Sequence, residues 1–162
     1  MRKLLVATFV VLLVAGCETA KVGRIDLDDP ETFDKIVAEA IGEEKIQWRG
    51  KEGETLVYTS NQKTPYSGWM KCMDDKGQIR WLFQCKDGKY DGPSTWWYRN
   101  GRKSGETTYR DGKKITVLVW KPNGEKCPVT NFLKGNGVVV VYNEGGTERV
   151  RLTYKDDERV KD

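Results

Sequence analysis

The chain of 162 residues carries 28 lysines and arginines against 24 aspartates and glutamates, and it has no histidine. Its charges are interspersed, so the net +4 offers no basic stripe for nucleic acid and no single-sign tail. The missing histidine removes the commonest general base and metal ligand, while 17 glycines and 10% aromatics point to one small β-rich domain with many turns.

Met1-Arg2-Lys3 is basic, Leu4 to Ala15 is apolar apart from Thr8, and the small pair Ala15-Gly16 precedes Cys17. This is the order of a secretory signal. The apolar run is shorter than the about 20 residues that span a bilayer. Val14-Ala15-Gly16-Cys17 resembles the lipobox of bacterial lipoproteins. The resemblance implies cleavage before Cys17, a diacylglyceryl group on its thiol, and acylation of the new amine by a palmitate-type chain. Two acyl chains on one residue hold a protein stably on a membrane. The alternative is an ordinary secretory signal in which the cysteine is incidental. Residues 1–16 are thus expected to be a lipoprotein signal peptide. The polar, aperiodic residues 17–26 are expected to form a lipidated tether. Without the first 16 residues the chain keeps 26 basic and 24 acidic side chains. Glu18 follows the cysteine. In diderm bacteria an aspartate there often signals inner-membrane retention. Its absence leans towards the outer membrane, facing the periplasm, with the inner membrane or the cell surface as alternatives.

Residues 27–49 read as an N-terminal helical segment. Asp29 can cap, Pro30 suits the first helical position, and Glu31 suits the positive end of the dipole. Phe33, Ile36, Val37, Ala40 and Ile41 recur at helical spacing, which predicts a helix over 30–41 with Gly42 as its stop. Such a helix packs its apolar face on its own domain or offers it to a partner.

Residues 50–162 read as a repeat domain. Gly77, Gly101, Gly124 and Gly146 are spaced 24, 23 and 22 apart. Asn100-Gly101 and Asn123-Gly124 predict two-residue hairpin turns. Eight residues past each glycine stand Cys85, Tyr109, Phe132 and Tyr154; four before each stand Met73, Trp97, Trp120 and Tyr142. Lys86-Asp87-Gly88-Lys89 and Arg110-Asp111-Gly112-Lys113 mark second turns between hairpins, and Leu56-Val57-Tyr58 looks like the end of a degenerate earlier unit. Asp91-Gly92, Trp96-Trp97-Tyr98-Arg99-Asn100-Gly101-Arg102 and Tyr109-Arg110-Asp111-Gly112-Lys113 resemble the MORN repeat in its bacterial variant, over about residues 50 to 155. Cys85, Lys121-Pro122 and Asp156-Asp157 depart from that pattern. The resemblance implies a mainly β fold, an elongated twisted antiparallel sheet of repeated hairpins, joined here by one N-terminal helix. It implies little chemistry. Some bacterial members carry an antitoxin label, which fits poorly with an exported chain.

Pairing across the turns sets Trp96 against Gly105, Ser94 against Thr107, Cys72 against Trp81, Met70 against Phe83, Val119 against Pro128, Val141 against Val150 and Val139 against Leu152. This apolar face reads as the core side. The opposite face, with Arg80, Ser104, Glu106, Arg149 and Arg151, reads as solvated apart from the ladder Met73, Trp97, Trp120 and Tyr142. Aromatics about 5 Å apart on neighbouring strands form stacking platforms, so these four are the candidate binding surface.

No catalytic constellation is visible. Nucleophilic catalysis lacks a base, and Asp74-Asp75 and Asp156-Asp157-Glu158 sit in turns, without the facing carboxylates a glycosidase needs. Cys72, Cys85 and Cys127 lack zinc-site spacing, and the carboxylates show no calcium-loop signature. Neither a metal nor a cofactor is implied. A Cys72–Cys85 disulfide is excluded by register: Cys85 lies about four residues, roughly 13 Å, beyond the partner of Cys72, against about 7 Å for a bridge. Cys127 is expected on the opposite face, beside Trp120. The function expected is that of a non-enzymatic envelope lipoprotein, held on the membrane by Cys17, whose repeat sheet is a protein-interaction or scaffold module. The alternatives are glycan or peptidoglycan binding through the ladder and an antitoxin-like role by family label.

Overall fold

The computed structural model describes residues 25–51 and 55–160. The signal peptide, the lipid attachment at Cys17 and most of the expected tether lie outside the described residues. Helix α1 (Pro30–Glu39) begins as the sequence predicts: Asp29 Oδ2 accepts the Thr32 N–H at 2.8 Å, and Pro30 takes the first position, where no N–H is needed. It ends at Ala40, before Gly42. Ile41 is already extended and pairs in parallel with Met70 as the short strand β1 (Ile41–Gly42). Gly42, at φ −72°, is therefore no left-handed stop. A 3-10 turn (Glu43–Lys45) leads into β2 (Ile46–Arg49), which pairs with β3 (Leu56–Thr59). The helix thus occupies only part of 27–49, and Leu56-Val57-Tyr58 belongs to a two-stranded ribbon with β2, its other edge held where the Val57 N–H bonds the Gly88 carbonyl and the Val57 carbonyl accepts the Tyr66 N–H, both at 2.8 Å.

The meander follows: β4 (Gly68–Met73), β5 (Ile79–Lys86), β6 (Lys89–Trp97), β7 (Lys103–Arg110) and β8 (Lys113–Val119). With β1 they make one six-stranded sheet in the order β1-β4-β5-β6-β7-β8. Strands β9 (Gly137–Tyr142), β10 (Glu148–Lys155) and β11 (Glu158–Val160) make a second sheet in the order β11-β10-β9. The mainly β architecture of repeated hairpins is the one expected. Pairs Cys72–Trp81, Met70–Phe83, Trp96–Gly105, Ser94–Thr107, Val141–Val150 and Val139–Leu152 all form. Val119–Pro128 does not. The Cys127 N–H reaches the Val119 carbonyl at 2.7 Å, but Pro128 has no N–H to continue the ladder. The return strand dissolves there, and the meander splits in two.

The glycine turns differ from the two-residue form expected. In each, an N–H bonds the carbonyl four residues on: Asp74 to Gln78, Tyr98 to Arg102, Lys121 to Glu125 and Asn143 to Thr147, at 2.8–2.9 Å. Each is a three-residue loop closed by a glycine at positive φ, +79° at Gly101, while Asn100 stays out of that region. The extra residue is absorbed by a β-bulge one step inside the strands, at Cys72/Met73, Trp96/Trp97 and Glu148/Val150. Turn and bulge offset each other, which is why the pairs deeper in the hairpin keep the predicted register.

The second turns are the true two-residue turns with both residues at positive φ: Asp87-Gly88, Asp111-Gly112, Lys134-Gly135 and Asp156-Asp157. The last residues of these pairs are again 24, 23 and 22 apart, and Asp157 takes the glycine conformation at φ +69°. Each of three such turns hangs on the unit before it. Asp87 N–H bonds Ser67 Oγ, Asp111 N–H bonds Asp91 Oδ2 and Asp156 N–H bonds Asn136 Oδ1, always twenty residues back. An added Cβ at Gly112 meets only Lys89 at 3.9 Å, so Gly112→Ala isolates the backbone term. It is expected to lower unfolding stability by about 1–2 kcal/mol. Gly88→Ala, whose Cβ would sit 2.9 Å from Leu56 and Pro65, is expected to cost more. Urea midpoints at unchanged slope check the order.

Candidate functional site

Both faces of the six-stranded sheet are covered in part, by different segments. On the face carrying Leu82, Trp69 and Trp97 lies α1, through Phe33, Ile36, Val37 and Ala40. Phe33 meets the Trp97 ring edge-on at 5.7 Å. Lys71 Nζ donates to the Val37 carbonyl near the helix end at 2.6 Å, and Lys103 pairs with both Asp28 and Glu106. The expectation that this face is solvated is corrected by the helix, whose apolar stripe needs a partner surface.

The ladder is consequently not one open surface. Met73 is exposed, Trp97 is buried under α1, and Trp120 and Tyr142 are half-buried. Tyr142 turns its hydroxyl to Cys127 Sγ at 3.3 Å and packs on the cluster of Val117, Val119, Phe132 and Val139. Cys127 belongs to that same cluster rather than lying beside Trp120 on the opposite face. Cys127 stands three residues after its glycine, the position in the third unit that Arg80, Ser104 and Arg149 hold at the bulges of the others. A bulge re-aims its side chain. Arg80 and Ser104, expected among the solvated residues, are likewise turned towards the other face.

That other face is the predicted core side. At one end it is filled: Val57, Met70, Phe83 and Cys85 are buried together with Tyr66 and Tyr90, and Trp81 stacks on Phe83 at 4.7 Å. Towards β7 and β8 it stays open. There β9 and β10 come round to face it, leaving a groove of about 500 Å³. Trp81, Trp96, Val117 and Val119 form one wall and Val139, Val141, Leu152 and Tyr154 the other. Gly105 lies on its floor; an added Cβ there would meet Leu118 O at 3.5 Å and Trp96 at 3.7 Å, ordinary contacts, so the space above it is free. Arg80 of the first hairpin spans to Glu144 of the fourth, Nη2 to Oε1 at 3.2 Å, and the Arg99 N–H holds the same carboxylate. Arg80 Nη1 and Ser94 Oγ are buried without a hydrogen-bond partner among the described residues. Sequence reasoning found the apolar walls as a face but missed the groove and Arg80. The signal that could have located Arg80 is its position three residues after Gly77, repeated by Ser104, Cys127 and Arg149.

Among the described residues no group of three or more cysteines, aspartates or glutamates lies close enough to hold a metal, and no helix is long and apolar enough to cross a membrane. Asp74 serves its own turn: Oδ1 accepts the Lys76 and Gln78 N–H groups, which holds its carboxyl below the usual range. No family model matches the chain, and comparison with curated proteins and with solved structures found no match.

The three thiols among the described residues, Cys72, Cys85 and Cys127, are unpaired and differ in environment. Burial pushes Cys72 up to about 11, helped by the neighbouring Glu43, and burial alone pushes Cys85 up to about 12. At Cys127 burial also acts upward, but hydrogen bonds from Thr130 and Tyr142 outweigh it and lower the value. The pH profiles of alkylation, read residue by residue by mass spectrometry, are therefore expected to rise in the order Cys127, Cys72, Cys85, with Tyr142→Phe moving only the Cys127 profile to higher pH. A Cys127 profile indifferent to that change contradicts the geometry.

Proposed function

We propose that this chain is a membrane-anchored envelope lipoprotein that acts without catalysis, as a binding module built on its MORN-like repeat sheet. One observation carries the reading: the apolar groove between the β5–β8 wall and the β9–β10 wall, with Gly105 at its floor and the Arg80–Glu144 pair at its rim. A concave apolar slot with a few convergent polar groups is the usual form of a recognition site. Buried apolar surface supplies affinity there and the rim groups supply orientation. The partner is an envelope component that presents an apolar chain to this slot. Glycan binding through the ladder draws no support from the geometry, because Trp97 is beneath α1. The anchor is read from the lipobox-like Val14-Ala15-Gly16-Cys17. The antitoxin label rests on resemblance alone and is not pursued.

A photo-crosslinking residue placed at Leu152 in intact cells is expected to capture a discrete envelope component, and adding Gly105→Leu is expected to abolish the adduct. The same probe at exposed Met73 is expected to give none. Capture from Met73 but not from Leu152 would move the site to the ladder. In the same cells Cys17→Ser should release the protein from membranes or leave the precursor uncut; unchanged mass and fractionation would sink the lipoprotein reading.

A further inference from the structure

We propose that the groove takes a single long-chain aliphatic carboxylate, its hydrocarbon lying along Trp81, Trp96, Val117, Val141 and Leu152 and its head group paired with the guanidinium of Arg80, whose side chain is part-exposed at the rim. The proposal rests on the groove being the binding element and adds the chemistry of what fills it. Volume, wall chemistry and rim charge argue for this occupant.

A space of about 500 Å³ suits one small ligand and is no seat for a globular partner, whose interface needs about 1,000 Å² or more. The walls are mainly apolar, with Ser104 and Thr107 as neutral polar residues among them. A peptide would carry a donor and an acceptor on nearly every residue into that space, each needing a partner. A hydrocarbon chain needs none. At the rim the demand reverses. Arg80 is held from one side, Nη2 to Glu144 at 3.2 Å, while Nη1 is buried with nothing among the described residues to accept its hydrogens. A buried guanidinium edge without an acceptor is costly, and a carboxylate is the acceptor whose shape matches it. Glu144 has its own second donor in the Arg99 N–H at 3.1 Å, so it stays in place when Arg80 gains another partner. The charged lining residues are Arg80 and Lys114 against Glu144, one positive charge in excess, which a monoanion balances.

The test uses the full-length chain carrying Cys17→Ser, with a neutral fluorescent probe, N-phenyl-1-naphthylamine, displaced by sodium dodecanoate or by 1-dodecanol. The probe is expected to bind the chain and not its Gly105→Leu form, with Gly105→Val as a smaller block should the leucine impair folding by urea titration. Dodecanoate is expected to displace the probe at a concentration about tenfold or more below that of dodecanol. Arg80→Gln is expected to remove that advantage and Arg80→Lys to restore part of it. Groove-dependent probe binding with no preference for the carboxylate, or a preference indifferent to Arg80→Gln, overturns the proposal and leaves the groove reading standing. Probe binding that is absent, or the same in the Gly105 variants, overturns both.

Discussion

The fold depends on a pairing of two irregularities: a loop one residue too long for a tight hairpin, and a bulge that takes up the extra residue. The glycines at 77, 101, 124 and 146 adopt positive φ to close the loops. The bulge then adds local twist to each hairpin. Because the device recurs at nearly constant spacing, its twist accumulates in one sense. The sheet curls until its last hairpin faces its second and third, without closing into a barrel. The lateral bonds between successive second turns, each reaching twenty residues back, fix the stacking that the curl requires.

Curling gives the sheet an inside and an outside, and the two are filled differently. The outside is covered by α1, which lays Phe33, Ile36 and Val37 of its 10 residues against the sheet over Trp97 and Leu82. The inside is filled at the β4–β5 end by Val57, Met70 and Phe83, with the β2–β3 ribbon over them. Among the described residues nothing comparable fills it between β7 and β10, where Gly105 contributes no side chain. The apolar walls there remain in contact with the groove, and the charged groups near them are Arg80, which the bulge delivers, together with Lys114 and Glu144.

Much of this was legible in the sequence, and the unread parts have definite causes. The cap at Asp29-Pro30 and the period of the apolar residues located α1, since helix starts are set by local chemistry. Register was legible because pairs such as Trp96–Gly105 are fixed by distance from the turn, even though the turn type was misread. The face of individual residues was not legible where the bulge intervenes. Strict alternation places Arg80, Ser104 and Cys127 on the outside, whereas one inserted residue per hairpin turns them. The end of the third hairpin was also missed, because the pairing scheme gave Pro128 a ladder position that its missing N–H cannot fill. The candidate ladder failed as a surface for a tertiary reason: Met73, Trp97, Trp120 and Tyr142 share a repeat position, but what covers each one comes from a distant segment.

On the proposed function, recognition takes place on the inside of the curl. Methyl carbon–proton NMR of the full-length Cys17→Ser chain, titrated with sodium dodecanoate, tests that most directly. The predicted result is shifts confined to Val117, Val119, Val139, Val141 and Leu152, with Met73 and the α1 residues Ile36 and Val37 unmoved. Shifts at Met73, Ile36 or Val37 with the groove methyls unmoved, or no shifts at all, would contradict it.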